Sequence, residues 1–381
     1  MTAPGNSTVP ILDLAPLHGA LRKEIDAAIA RVVDSNRFVL GDALANFESR
    51  AANHLNARHA VGVANGTDAL LLALKAAGVR PGDEVVTSAF TFFATVEAML
   101  HAGARPVFAD IDPASMTLDP HDVETRITPK TRALLPVHIF GHVADMSALL
   151  RVAEAHHLVV IEDAAQAFGA TRDGRAAGTF GTAGCFSFHP SKPLGAFGDG
   201  GMIATDDDGL AEQLRLLRNH GATKQHRHPA AGCNSRLDDI QAAVLGVKLE
   251  HFESHLAERR KIATRYGALL AGLPLSLPAA ANGMQHCYAQ YTIRTHQRDA
   301  LKAALDAAGI GNAVHYPLPA YRQAALAGIV DPQLHLPVTE AACASCLSLP
   351  LYEGLTVEQQ ERVAEVVGEA LQPGKYEAEG T

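Results

Sequence analysis

The chain has 381 residues, 48% of them apolar and 19% charged, with a net charge of −9. That length suggests one large domain and a smaller one around a substantial core. The acidic balance leaves no basic excess to neutralise a nucleic-acid backbone, and no apolar run approaches the roughly 18 residues of a membrane span, so nucleic-acid and membrane roles are set aside.

The N-terminus, "MTAPGNSTVPILDLAPL", lacks a charged start followed by an apolar core, does not read as a signal peptide, and points to a cytoplasmic protein. From about residue 58 to 205, apolar runs and helical patterns alternate. "HAVGVA" (59–64) reads as a strand and "TDALLLALKAAG" (67–78) as a helix. "EVVT" (84–87) precedes the helical "FFATVEAMLHAG". "ARPVFAD" (104–110), "RALLPV" (132–137), "LVVIED" (158–163), "GCFSF" (184–188) and "GMIAT" (201–205) read as further strands. This alternation predicts βαβ units and a mostly parallel sheet, with ligands beyond the carboxyl ends of the strands.

After residue 236 the pattern changes. Residues 237–273 read as one long helical stretch leading to short strands ("YAQYTIR") and helices ("RDALKAALDAAGI", "TVEQQERVAEVVGEAL"), with a polar tail after Gln372 expected to fray. The expected division is a large domain over 1–250 and a smaller C-terminal α/β domain over 251–381. Five scattered cysteines, an odd number, do not read as a disulfide framework. Cys343 and Cys346, in the Ala-rich helical pattern "EAACASCLSLP", are expected to be buried structural thiols.

Four strand-end segments carry chemistry. In "VANGTDALLLAL" a strand runs into Asn65-Gly66-Thr67 and then a helix, a natural phosphate site; the plainer reading is that Thr67 or Asp68 caps the helix. In "LVVIEDAAQAFGA", Asp163 ends an apolar strand, where a carboxylate is costly without a partner. It either caps a following helix or faces a cationic ring nitrogen. Glu162 points to the other face, and Gln166, one helical turn on, shares Asp163's side.

In "SFHPSKPLGAFGDGG", Pro193 keeps Lys192 out of a helix and on an extended segment. A lysine in a tight, partly desolvated site has a lowered pKa and serves as an amine nucleophile. Gly198, Gly200 and Gly201 permit turns and close backbone approach. The segment is neither G-x-x-x-x-G-K-[ST] nor G-x-G-x-x-G, because Ile203 takes the third glycine place, which disfavours nucleotide-triphosphate and NAD readings. In "AAGCNSRLDDIQAA", Asn234 and Arg236 read on their own as a turn residue and a surface charge. The loop "RNHGATKQHRHP" (218–229) is either solvated or a source of donors to a diphosphate; its His226 and His228 lack the further ligands a metal needs, so no metal is expected.

Taken together, a phosphate cradle, a strand-end aspartate and a constrained lysine on one βαβ domain match the needs of pyridoxal 5′-phosphate. At these residues the sequence resembles the sugar-nucleotide aminotransferases of the DegT/StrS group, fold-type I enzymes of that cofactor. The resemblance runs over roughly residues 10 to 371, through "NGTDALLLAL", "PVHIFGHVADM", "VIEDAAQAFGA", "FSFHPSKPLGAFGDGG" and "NSRLDDIQAAVL" in the group's order.

The resemblance implies a large domain with a mostly parallel seven-stranded sheet and a smaller C-terminal domain. It implies Lys192 as the Schiff-base lysine, Asp163 against the pyridinium nitrogen and Gln166 against the ring hydroxyl. Gly66, Thr67 and Ser187 would hold the phosphate, and Phe92 would stack on the ring. Asn234 would reach the phosphate from the neighbouring subunit of a homodimer. Arg236, His315 and Tyr316 would lie near the substrate. Glutamate would be the amino donor, and a keto sugar nucleotide the acceptor. The branch it resembles most aminates the 3-keto position, as in a UDP-linked 3-oxo-glucuronate. A 4-keto substrate, a sugar dehydratase and a non-catalytic regulatory homologue remain alternatives; relatives with dehydratase activity carry a histidine where this chain has Lys192.

Overall fold

Short apolar runs flanked by Gly, Pro and Asp form the strands, and amphipathic stretches between them form the helices. The computed structural model describes residues 8–224, 226–278 and 281–372, so the tail expected to fray lies outside the described residues. Two helices open the chain, α1 (Ala15–Ser35) and α2 (Asp42–Leu55). The alternating part follows: β1 (His59–Val63), α3 (Gly66–Ala76), β2 (Glu84–Ser88), α4 (Phe93–His101), β3 (Arg105–Ala109), α5 (Pro120–Arg126), β4 (Thr131–Leu135), α6 (Met146–Ala155) and β5 (Val159–Asp163). Two short strands, β6 (Thr171–Arg172) and β7 (Arg175–Ala176), precede β8 (Ala183–Ser187), β9 (Gly201–Thr205) and α7 (Asp208–Leu217). Then come α8 (Asp239–Glu250), α9 (Phe252–Leu269), β10 (Met284–Gln285), β11 (Tyr291–Arg294), α10 (Arg298–Ala307), α11 (Pro337–Ser345), β12 (Cys346–Leu349) and α12 (Val357–Ala370).

Seven strands form one sheet in the order β1-β9-β8-β5-β4-β2-β3. The pairs β2–β3, β2–β4, β4–β5 and β5–β8 are parallel, and only β9 runs antiparallel to its neighbours β8 and β1. The sheet is therefore mostly parallel, as expected. It is buried on both faces, which explains why its strands read as near-continuous apolar runs. Val86, Leu134 and Val160 point into one core with Phe168, Phe186 and Phe252, while Val85, Leu135 and Ile161 point into the other with α3 and Phe90. Because β9 is reversed, its first residue, Gly201, lies at the edge where β1, β5 and β8 end. Gly201 pairs with both Val63 and Ser187.

A separate apolar cluster joins α9, α10, α12 and the antiparallel pair β11–β12, and Val9 packs into it. Three local expectations are corrected. Residues 237–273 are two helices broken at His251, and Phe252, at the start of the second, packs against Phe168 with ring centroids 5.2 Å apart. No helix follows β5: the Ala164 N–H donates to the Cys185 carbonyl at 2.8 Å, and two tight turns take the chain to Ala170. Cys346 is not helical but opens β12; it and Cys343 are buried free thiols.

Candidate active site

A cavity of about 360 Å³ lies at the carboxyl edge of the sheet. It brings together Gly66, Thr67, Phe92, Asp163, Gln166, Ser187, Lys192, His315 and Tyr316. These come from the ends of β1, β5 and β8, the start of α4 and the loop before α11, as the strand-end rule for open α/β sheets requires. Asn234 and Arg236 do not line it: Asn234 is exposed, and Arg236 donates from Nη1 to the Asn219 side chain at 3.0 Å. A larger groove of about 460 Å³ between α1, α2 and α8 has no lysine in its lining, and several of its charges are paired, as in Arg37 with Asp42 at 2.7 Å.

At one end of the cavity stands the start of α3. Its cap is Asn65, whose Oδ1 accepts the Asp68 N–H at 2.8 Å, so neither Thr67 nor Asp68 is the cap. Gly66 is needed for room. A Cβ there would stand 2.7 Å from Cβ of Ser187, and a Cβ on Gly201 would stand 2.3 Å from the Asn65 carbonyl oxygen. Gly198, Gly200 and Gly201 all lie outside the positive-φ region, so close approach rather than turn geometry explains the glycines that follow Lys192.

Asp163, the last residue of β5, is buried. Its Oδ2 accepts the Thr95 hydroxyl at 2.7 Å and its Oδ1 accepts the Ala165 N–H at 3.1 Å. Burial pushes its pKa up, while the Thr95 and Ala165 bonds and the charge of Lys192 oppose that shift. Glu162 faces the other way, as the strand's alternation predicts. Its carboxylate accepts from the His138 ring Nε2 at 2.8 Å and from the Gly178 and Gly181 N–H groups at 2.9 and 2.6 Å. The His138 Nδ1 accepts the Ala144 N–H at 3.1 Å, so the hydrogen sits on Nε2. The His138 backbone N–H in turn donates to the Asp163 carbonyl at 3.0 Å.

Lys192 closes a turn rather than extending a strand: its N–H donates to the His189 carbonyl at 2.9 Å. It is outside any helix, as Pro193 demands. Burial lowers the pKa of its amine, and the charge of Asp163 partly offsets this. The loop beyond it rests on α8. The Lys248 Nζ donates to the Gly195 carbonyl at 2.7 Å, and the Gln241 Oε1 accepts the Phe197 N–H at 2.8 Å.

Gln166 is held at both ends of its amide. Oε1 accepts the Phe140 N–H at 2.6 Å, and Nε2 donates to the Tyr316 hydroxyl at 3.0 Å. Burial raises the Tyr316 pKa. His315 contacts the Ser348 hydroxyl through Nδ1 at 2.9 Å, and burial together with the Lys192 charge lowers its pKa. Phe92, 57% exposed, stands at the mouth with its ring centroid 6.0 Å from that of Tyr316. Sequence reasoning missed Thr95, His138, Lys248 and Gln290. Thr95 follows Phe92 by almost one helical turn, and that spacing was the available signal. Among the described residues, no group of three His, Cys, Asp or Glu could hold a metal ion, and no helix is long and apolar enough to cross a membrane.

The chain belongs to the DegT/DnrJ/EryC1/StrS aminotransferase family, whose model matches residues 20–368. It is 47% identical over 95% of its length to a "Pleiotropic regulatory protein" of Geobacillus stearothermophilus, covering 98% of that protein. It is 42% identical over 90% of its length to the "UDP-2-acetamido-2-deoxy-3-oxo-D-glucuronate aminotransferase" of Pseudomonas aeruginosa, covering 95% of it. Among solved structures it resembles Streptomyces venezuelae DesV in complex with a ketimine intermediate: TM-score 0.94, 46% identity, 96% of this chain and 100% of that one. The cofactor is pyridoxal 5′-phosphate. The donor set fits it: a half-buried lysine amine, a strand-end carboxylate and the open start of a helix line one cavity.

Proposed function

We propose that this chain transfers an amino group from glutamate to a keto sugar nucleotide, with the 3-oxo position of a UDP-linked uronate as the favoured acceptor. The observation that carries the reading is the meeting of Lys192, Asp163 and the Gly66–Thr67 helix start in one cavity. The acceptor class rests on the name of the Pseudomonas aeruginosa relative. The name of the Geobacillus stearothermophilus relative favours a second reading, a regulatory protein.

Gly66, Thr67 and Ser187 hold the cofactor phosphate, where the positive end of the α3 dipole favours an anion. Asp163 pairs with the ring nitrogen, and the donors on both of its oxygens keep it an acceptor. Gln166, with one amide hydrogen left after its bond to Tyr316, would donate to the ring hydroxyl, and Phe92 would cover the ring. Bound pyridoxal 5′-phosphate supplies the electron sink that stabilises a carbanion at the amino acid's α-carbon. Lys192 would hold the cofactor covalently through Nζ, and the same Nζ, when free, would carry the proton to and from the amino donor's α-carbon. Burial of the amine makes its neutral form accessible for that step. His315 and Tyr316 meet the substrate from within the cavity; Arg236 lies outside it, bonded to Asn219, and would meet a substrate only in the site of a second copy.

Asn234 stands outside the cavity of its own chain, which supports its serving a second copy in a homodimer. Exposed Phe38, Val39, Leu40 and Phe197 gather around the start of α8, beside the cavity, and support the same assembly. We further propose a cytoplasmic location and a domain boundary between Glu250 and His251, where α8 gives way to the helix that packs in the separate C-terminal cluster.

The test is glutamate added to the cofactor-loaded protein. Loss of the visible band with release of a keto acid is expected, followed by a product from a UDP-linked 3-keto sugar in which an amino group has replaced the keto oxygen. A protein that binds cofactor but releases no keto acid with any keto sugar supports the regulatory reading, and a product lighter by one water supports a dehydratase.

A further inference from the structure

Gln290 lines the same cavity as Lys192 and Tyr316, from the segment that leads into β11. Its Oε1 is buried and has no hydrogen-bond partner. Among the described residues, the other buried side-chain atoms in that state are Arg265 Nε, the Tyr266 hydroxyl and Asn312 Oδ1, and none of these residues lines the cavity. A buried acceptor without a donor is costly, and one that lines a cavity can be satisfied by a donor that the ligand supplies.

The position is held firmly. Arg259 of α9 donates from Nη2 to the Tyr288 carbonyl at 2.7 Å and to the Ala289 carbonyl at 3.2 Å. Arg260 donates to the His286 carbonyl at 3.0 Å. Arg259 is itself paired with Glu353 at 3.2 Å, and both are buried. The Ala289 N–H donates to the Phe140 carbonyl at 2.9 Å, and Phe140 is the residue whose N–H fixes Gln166. Gln290 thus follows directly on a clamped backbone segment tied to the strut that orients Gln166, the kind of support that makes a side chain selective rather than adaptable.

We propose that Gln290 is a specificity-determining residue whose amide oxygen accepts a hydrogen bond from the substrate sugar, from an acetamido N–H on the carbon beside the reacting carbonyl. This rests on the sugar-nucleotide reading above. The other ligands are mismatched: phosphate oxygens and the carboxylates of an amino donor are acceptors, and the donor's amino group is engaged at the reacting carbon. Beside the reacting carbonyl only the sugar brings neutral donors; the ribose hydroxyls and the uracil N–H of a UDP group lie beyond the diphosphate. A sugar lacking that donor leaves Oε1 unpaired, and sites built to bond a polar group reject analogues without it more strongly than apolar pockets reject a missing methylene.

The test uses Gln290→Met, which keeps the length and removes the acceptor, with Gln290→Leu as a second variant. Two probes are compared, a UDP-linked 2-acetamido-3-keto sugar and its 2-deoxy counterpart. Calorimetric binding to the cofactor-loaded protein is measured beside kcat and KM. Both variants are expected to lose at least tenfold in affinity and kcat/KM for the first probe, mainly through KM, and less than threefold for the second. Equal losses on both probes, no loss on either, or a matching loss in the glutamate half-reaction overturns the proposal. If wild type binds the first probe but aminates neither, the functional reading fails and the binding comparison still decides Gln290. If wild type binds neither probe, both fail.

Discussion

The Thr95 hydroxyl donates to Oδ2 of Asp163 at 2.7 Å, joining the first turn of α4 to the end of β5. An ionised carboxylate only accepts, so the Thr95 proton is committed to Asp163. Thr91, 2.7 Å from Thr95, must then donate to it, giving a directed chain Thr91 to Thr95 to Asp163. The chain stabilises charge on a buried carboxylate that burial alone would neutralise.

Thr95→Val should therefore raise the Asp163 pKa further. The acid limb of the pH–rate profile should move to higher pH, and kcat/KM near neutrality should fall roughly 10- to 100-fold, the scale of about 1.5–3 kcal/mol for a hydrogen bond to a charged group. A profile that overlays wild type would remove Thr95 from the argument. Asp163→Ala should slow both half-reactions while the visible band of the lysine-bound cofactor persists.

Lys192→Ala should remove that band and lower activity by roughly 10²–10⁴, the range for a lost general acid–base group. Retention of the band, read by absorbance of the purified variant with added pyridoxal 5′-phosphate, would place the covalent attachment elsewhere.

Gly201→Ala sets a Cβ 2.3 Å from the backbone oxygen of Asn65, where nothing flexible can give way. A cost of about 1–3 kcal/mol is expected from overpacking, with weakened cofactor binding because the start of α3 must shift. Gly19→Ala, in α1 with nothing within 4 Å of the added atom, is the control and should be neutral or slightly stabilising. Thermal melts with and without cofactor separate the two.

Lys248 is buried on α8, and burial lowers its amine pKa to about 8 from the ordinary 10.5. Between those values the unfolded chain holds a proton that the folded chain does not, so this group makes stability rise with pH across the window. Its neighbours are His18, at 2.9 Å from Nζ, whose own pKa is lowered from 6.5 and titrates below the window, and the more distant Glu353. Lys248→Met should lose that slope: its melting temperature relative to wild type should be highest near pH 7 and decline toward pH 10. Parallel melting curves for the two proteins across pH 7 to 10 would overturn the assignment.

Residues at strand ends were legible in the sequence because their placement follows from βαβ geometry alone: Gly66, Asp163, Ser187 and Lys192 share one edge once the sheet is parallel. The reading of Asp163 as the cap of a following helix failed because the Ala164 N–H continues pairing with β8, a tertiary event that outcompetes local propensity. The α3 cap failed by two or three residues for a local reason: Asn65 already satisfies Asp68. Thr95 and His138 matter through Asp163 and Glu162, far away in the chain, and Gln290 through the cavity it lines; apart from the interval between Phe92 and Thr95, no spacing rule encodes these relations. Asn234 and Arg236 stand outside the cavity of their own chain, so a single chain gives them no site context.

Ser187 and Gly201 are register partners in β8–β9, and just inside them the Phe188 N–H donates to the Gly200 carbonyl at 2.7 Å while its carbonyl accepts the Ala196 N–H at 2.8 Å. The segment carrying Lys192 is therefore a ring closed by the sheet itself. The entropy of closing it is spent when the sheet forms, before any ligand arrives. Lys192 is presented like a reagent on a rigid support, its reach set by how many residues make up the ring rather than by a hinge. Inserting or deleting one residue between Phe188 and Ala196 should misplace the amine while leaving the seven strands in register.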